Sequence, residues 1–101
     1  MIEPRIHIPT DLIEEFCRRW KISEFSLFGS VLREDFRPDS DVDVLVEFEP
    51  DHPWSLYDIV DMEEELQTML GRQVHLVMKG GLKNPLRRRE ILRARQVIYA
   101  A

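Results

Sequence analysis

At 101 residues with 44% apolar content, the chain is long enough for one packed core and too short for a second domain. Its single cysteine, Cys17, excludes an intrachain disulfide and a cysteine-rich zinc framework, and no apolar run is long enough to span a membrane. Glu3 and Pro4 stand where a signal peptide would carry basic and apolar regions, so the expected location is the cytoplasm.

The net charge of −5 is unevenly distributed. Residues 1–78 hold 7 of the 14 basic and 18 of the 19 acidic residues, whereas residues 79–101 hold 7 basic residues and one acid. Such a basic tail either offsets an acidic body as solvated surface or attracts ATP, an acidic partner or RNA. An RNA-binding module is the weaker reading, because Tyr99 is the tail's one aromatic and no stacking platform is interleaved with the charge.

Residues 1–8 read as an extended arm. A first helix is expected from Pro9, Thr10 and Asp11, with Asp11 and Glu14 as a capping pair and Leu12, Ile13, Phe16, Cys17 and Trp20 as an apolar stripe at helical spacing. Cys17 and Trp20 then read as core, against the rival readings of a reactive thiol and a base-stacking ring.

Ser26, Leu27 and Phe28 form a short apolar strand that breaks at Gly29 and Ser30. Glycine at a strand end lets the backbone approach a phosphate closely, and backbone amides and the Ser30 hydroxyl can donate to it. A short helix is expected over residues 31–35 with its N-terminus toward that phosphate. Within it, Arg33 either neutralises phosphate charge or pairs with Glu34 or Asp35.

After a polar turn around Pro38, Asp39 and Ser40 a second strand begins. Alternation puts Val42, Val44 and Val46 on one face and Asp41, Asp43, Leu45 and Glu47 on the other. Residues two apart in a strand have Cα atoms about 6.5–7 Å apart, so Asp41 and Asp43 can converge on one or two small cations. Magnesium suits them, since it binds through one or two carboxylates with water and substrate phosphates completing its shell. The plain alternative is a pair of turn-edge acids, but two like charges on one strand face repel and are easier to explain with a cation between them.

Residues 49–54 contain Pro50 and Pro53 and read as a loop, in which His52 and Trp54 either pack locally or line a base pocket or partner surface. Ser55 caps a second helix running to Leu70 and stopped by Gly71, with Leu56, Ile59, Val60, Leu66, Met69 and Leu70 inward. Its acids, Asp58, Asp61, Glu63, Glu64 and Glu65, read as a solvated face. A third strand follows over residues 73–78 and ends at Lys79, Gly80 and Gly81. Asn84 before Pro85 starts a third helix that carries Leu86, Ile91, Leu92, Val97 and Ile98. Arg87, Arg88 and Arg89 near its N-terminus oppose the helix dipole, which suggests compensation by acidic neighbours or a bound anion.

These elements give an α/β (α+β) chain in one domain: a small mixed β-sheet with helices packed on it, in an order the sequence does not specify. Gly29-Ser30, ten residues, then Asp41-x-Asp43, with an apolar strand before and Leu45-Val46-Glu47-Phe48 after, closely resembles the minimal nucleotidyltransferases of the polymerase-beta-like superfamily. The resemblance extends over nearly the whole chain, including Gly71-Arg72-Gln73-Val74 and residues 91–99, and implies the nucleotidyltransferase palm.

By that resemblance Gly29 and Ser30 hold the nucleoside triphosphate, with Arg33 beside them, and Asp41 and Asp43 are catalytic and bind magnesium. Many members partner HEPN-domain toxins in toxin–antitoxin pairs, and some transfer AMP from ATP to a tyrosine of the toxin. The family usually places a third carboxylate on the strand after the long helix, where this chain reads Val74-His75-Leu76-Val77. The resemblance therefore implies either a magnesium-dependent AMP transferase or a weakened one that neutralises its partner by binding alone. Glu47, on the aspartate face, is the alternative third ligand.

Overall fold

The computed structural model describes residues 7–32, 37, 40–51 and 53–101. Arg33, His52, the turn residues Pro38 and Asp39 and most of the N-terminal arm lie outside the described residues. The elements are helix α1 (Thr10–Arg19), strand β1 (Ile22–Phe28), a 3₁₀ turn (Gly29–Leu32), strand β2 (Val42–Phe48), helix α2 (Leu56–Leu70), strand β3 (Val74–Met78), helix α3 (Pro85–Ala94) and strand β4 (Gln96–Ala100). They form one sheet in the order β3-β2-β1-β4, with β1 antiparallel to both β2 and β4, and β2 parallel to β3.

Alternation along the strands gives the sheet two unlike faces. One carries Phe25, Leu27, Val42, Val44, Val46, Val74 and Leu76, buried beneath Ile13, Phe16 and Cys17 of α1 and Met62 and Leu66 of α2. This is the hydrophobic core. The other face carries Glu24, Ser26 and Phe28 on β1 opposite Glu47, Leu45 and Asp43 on β2, with His75 on β3 beside Asp43. The predicted division of β2 is therefore observed.

Helix α1 buries Ile13, Phe16 and Cys17 as its stripe requires, while Leu12 is half exposed and Trp20 half buried. Its start differs from the expected capping pair: Pro9 is the N-cap with no side-chain cap, and Glu14 instead bonds Arg18 one turn on. Proline there fixes a backbone angle near the helical value without offering a hydroxyl or carboxylate. Trp54 packs edge-on against Trp20 at 5.0 Å between ring centroids and donates to the Trp20 carbonyl at 2.6 Å, which settles it as a packing residue.

Helix α2 begins at Ser55, whose backbone N–H donates to Asp58, and ends at Gly71 in the left-handed conformation. Its inward face is Ile59, Met62, Leu66, Met69 and Leu70; Leu56 and Val60 are exposed, contrary to expectation. At about 100° per residue, Val60 lies about 160° and Leu56 about 120° around the helix from Met62, so neither can share its face. Two of the supposedly solvated acids are also engaged. Glu63 accepts from the Leu76 backbone N–H at 2.9 Å, and Glu65 bonds Arg19 and the Trp20 ring N–H. Burial pushes the Glu65 carboxyl up, but these donors and the Arg19 charge together hold it below its ordinary value.

The largest departure is at the C-terminal end. Val97 and Ile98 were expected on the third helix, but α3 stops at Ala94 and they belong to β4. Val97, Ile98 and Tyr99 are β-branched and aromatic, types that suit a pleated strand, and β1 offers them an edge to pair with, Ser26 opposite Val97 and Phe25 opposite Tyr99. Helix α3 itself is capped by Asn84, whose side chain accepts from the Leu86 and Arg87 backbone N–H groups, and buries none of its residues fully.

Candidate active site

The site is assembled where β1 ends and β2 begins. At the end of β1 the chain turns through Gly29, whose φ of +76° is one that residues with a Cβ rarely adopt. The turn brings the Gly29 backbone against Asp43, opposite Phe28 across the β1–β2 pair. A Cβ on Gly29 would lie 2.3 Å from Asp43 Oδ2, so the glycine is required by space as well as by backbone angle.

The two oxygens of Asp43 meet different surroundings. Oδ2 faces the Gly29 backbone, while Oδ1 lies 3.7 Å from His75 Nδ1 on the neighbouring parallel strand. The Asp43 side chain is 26% exposed and that of His75 66%, so the pair grades from a sheltered carboxylate to an open imidazole at the sheet edge. Asp41 precedes β2 and is exposed; its carbonyl oxygen lies 3.4 Å from Ser30 Oγ, a long contact that leaves the hydroxyl available to a ligand.

A cleft of about 380 Å³ opens over these residues. Phe28, Gly29, Ser30 and Asp43 form its floor, and Arg87, Glu90, Ile91 and Ala94 of α3 form its wall. Gly29, Ser30 and Asp43 meet in this cleft, as their sequence pattern suggests, whereas Asp41 is not among the residues that line it. The α3 wall was not assigned to the site; its one signal was the arginine run at 87–89, which calls for a compensating anion. Among these three arginines, Arg87 lines the cleft and Arg88 donates to the Lys79 carbonyl at 2.6 Å.

Further along the same face, a charged cluster ties α3 to the sheet. Arg95, which follows α3, donates from Nε to Glu24 at 2.9 Å and from its terminal nitrogen to the Leu92 carbonyl. Lys79 Nζ lies 2.8 Å from Glu47 and 3.7 Å from Glu24. Burial pushes the Glu24 carboxyl up, but the Arg95 hydrogen bond and charge, the Lys79 charge and the Ser26 hydroxyl together bring it below its ordinary value of 4.5. Lys79 and Arg95 thus offset the acidic body, and Arg87 is the part of the basic tail that faces the cleft. Glu47 does lie on the aspartate face, but Lys79 holds it, which argues against it as a third metal ligand.

Residues 10–98 match the family described as the nucleotidyltransferase domain. The chain belongs to that family. This nucleotidyltransferase is 40% identical over 86 residues, 85% of its length and 82% of the relative's, to the protein adenylyltransferase MntA of Thermococcus cleftensis. A solved minimal nucleotidyltransferase structure has 33% identity and a TM-score of 0.71, covering 86% of each chain. The complex of a tri-AMPylated HEPN toxin from Shewanella oneidensis with its MNT antitoxin contains a chain with a TM-score of 0.65 at 17% identity, covering 91% of this chain and 70% of that one. At that identity the likeness is one of fold. No described helix of the nucleotidyltransferase is long and apolar enough to cross a membrane.

Among its described residues, no three His, Cys, Asp or Glu side chains gather as a metal cluster. A magnesium ion does not need three, because substrate phosphates and water normally complete its shell. Carboxylate oxygens are the hard donors it prefers, and the Gly29–Asp43 approach keeps side-chain carbon out of the space beside the carboxylate. The residues present therefore fit the cation.

Proposed function

We propose that this protein is a magnesium-dependent adenylyltransferase that moves AMP from ATP to a hydroxyl, that of a tyrosine, on a HEPN-type toxin, and that this transfer is its antitoxin action. The observation that carries the reading is the convergence of Gly29, Ser30 and Asp43 on one cleft whose opposite wall bears Arg87. The relative named as a protein adenylyltransferase supports the transferred group, and the complex containing an AMPylated HEPN toxin supports the acceptor class.

Asp41 and Asp43 would hold magnesium, which when bound offsets phosphate charge and the charge that develops during transfer. Gly29 admits the triphosphate close to the backbone, the Ser30 hydroxyl donates to it, and Arg87 reaches it from α3. Because α3 walls one flank and β3 is an edge strand, the acceptor approaches from the His75 side. The acceptor oxygen attacks the α-phosphorus, the bond from that phosphorus to the β-phosphate bridging oxygen breaks, pyrophosphate leaves, and the hydroxyl proton passes to solvent.

Label transfer tests this. Purified protein, magnesium and a co-encoded partner are incubated with ATP labelled at the α or the γ phosphate. Label on the partner from the α position alone, lost in Asp43→Asn, is the expected result. Label from neither position overturns it.

His75 favours a second reading, an antitoxin that masks its partner by contact with little transfer, since an imidazole stands where the family resemblance would put a third carboxylate. A partner that co-purifies without accepting label, and accepts it once His75→Asp is introduced, is the outcome that reading requires.

A further inference from the structure

We propose that His75 and Asp43 together form a mixed nitrogen–oxygen edge of the metal site, so that this chain accepts a first-row transition cation as well as magnesium and holds it more tightly than an all-carboxylate edge would. The inference rests on the reading of Asp43 as a metal ligand and concerns which cation that ligand set selects.

The parallel pairing of β2 and β3 sets His75 directly beside Asp43. Both side chains leave the same face of the sheet, and His75 Nδ1 stands 3.7 Å from Asp43 Oδ1. Two ligand atoms that each bind one cation at about 2.0–2.2 Å lie about 3–3.5 Å apart, so a few tenths of an ångström of movement would bring this pair to ligand spacing. The imidazole can make that movement, because its side chain is 66% exposed. The more sheltered Asp43 is fixed on its other side, where Oδ2 abuts Gly29. One ligand is thus positioned by the fold, and the other is free to adjust to the ion.

The chemistry follows from the donor atoms. A site of carboxylates and phosphates suits magnesium, which gains little from nitrogen. Imidazole is a good ligand for iron, cobalt, nickel and zinc, and affinity for nitrogen-containing sites rises from manganese through cobalt to copper. Exchanging one carboxylate for imidazole at this position removes a negative charge that a hard cation uses and adds a donor that a transition cation uses more. Both changes move selectivity in the same direction. The exposed side of β3 leaves the remaining positions around such an ion open to water and phosphate oxygens.

The test is calorimetric titration of the full chain with magnesium, manganese(II) and cobalt(II) chlorides in the presence of a non-hydrolysable ATP analogue. It is run on the wild-type protein, His75→Asp, His75→Ala and Asp43→Asn, together with nitrogen-15 spectra of the imidazole rings during the cobalt titration. Circular dichroism confirms that each variant is folded, and the exposure of His75 makes its substitutions compatible with the sheet. The expected result is that cobalt perturbs the His75 ring and that His75→Asp moves the cobalt-to-magnesium affinity ratio at least about tenfold toward magnesium. If Asp43→Asn abolishes binding of all three cations while both His75 variants keep the wild-type ratio, the selectivity inference is overturned and Asp43 stands as a ligand. If Asp43→Asn binds all three as the wild type does, the inference and the reading beneath it both fall.

Discussion

Gly29 and Asp43 approach so closely that a single methyl group on the glycine would overlap the aspartate carboxylate, at 2.3 Å from Oδ2. Fourteen positions separate them in the chain. The contact exists because the turn after β1 folds back over the first residues of β2, and both residues line the cleft.

Gly29→Ala is therefore expected to act twice. A left-handed backbone angle at a residue with a Cβ costs about 1–2 kcal/mol, and the carboxylate must also move. Chemical denaturation should record the first effect. Label transfer should fall further than that loss of stability accounts for, and an alanine variant with unchanged transfer would remove the close approach from the catalytic argument.

Asp43→Asn keeps the shape of the side chain and removes its charge. Circular dichroism should be unchanged while label transfer falls by about a hundredfold or more, the scale on which positioned electrostatic groups act. Retained transfer would place the essential carboxylate elsewhere.

Arg87→Ala tests the wall contributed by α3. The side chain is exposed and lines the cleft, so its loss should leave the melting temperature nearly unchanged. Affinity for ATP, measured by calorimetry, should fall about tenfold, the value of one charge-assisted contact to phosphate.

Glu24 gives the protein an acid-sensitive joint. Its folded-state pKa is lowered below 4.5, so its contribution to stability is complete above about pH 4.5 and is lost as pH falls through the folded value. Melting temperatures recorded from pH 7 down to pH 3 should drop for the wild type over that lower range, and Glu24→Gln should flatten that part of the curve. At neutral pH the same substitution should cost about 1–3 kcal/mol, because it weakens hydrogen bonding to Arg95 and removes the charge facing Lys79.

Cys17 behaves in the opposite sense. Burial, with a smaller contribution from Glu14, pushes its thiol from 9.0 up to about 12. The folded protein should resist alkylation by iodoacetamide at pH 8 and become reactive only on unfolding. Because the thiol ionises more readily in the unfolded chain, stability should decline as pH rises above about 9. Rapid modification of the native protein would contradict the buried assignment.

The parts of this fold that were legible in the sequence are those set by local pattern. Alternation along residues 42–47 predicted which β2 side chains enter the core, and the Gly29-Ser30 break marked the turn. The apolar stripe Ile13, Phe16 and Cys17 gave the inner face of α1. What was not legible depended on distant partners. Val97 and Ile98 continue the apolar spacing of Ile91 and Leu92 well enough to read as helix, and only the open edge of β1 makes them a strand. Met62, set among Asp61, Glu63, Glu64 and Glu65, gives no local sign of burial, although its position on the helix puts it at the centre of the buried face. The α3 side of the cleft was hidden for the same reason, since nothing local tells Arg87 that Asp43 lies across from it.

The two halves of this molecule are held together by different forces. Below the sheet, α1 and α2 are secured by buried side chains, whose contribution varies with temperature and hardly at all with ionic strength. Above it, α3 buries none of its residues completely and is fastened through Arg88 to the Lys79 carbonyl and through Arg95, just past its end, to Glu24 of the sheet. Dissolved salt screens the ionic members of that second set far more than the first. The surrounding electrolyte should thus loosen the α3 wall of the cleft more than the floor beneath it, because the floor is held by packing that salt hardly alters.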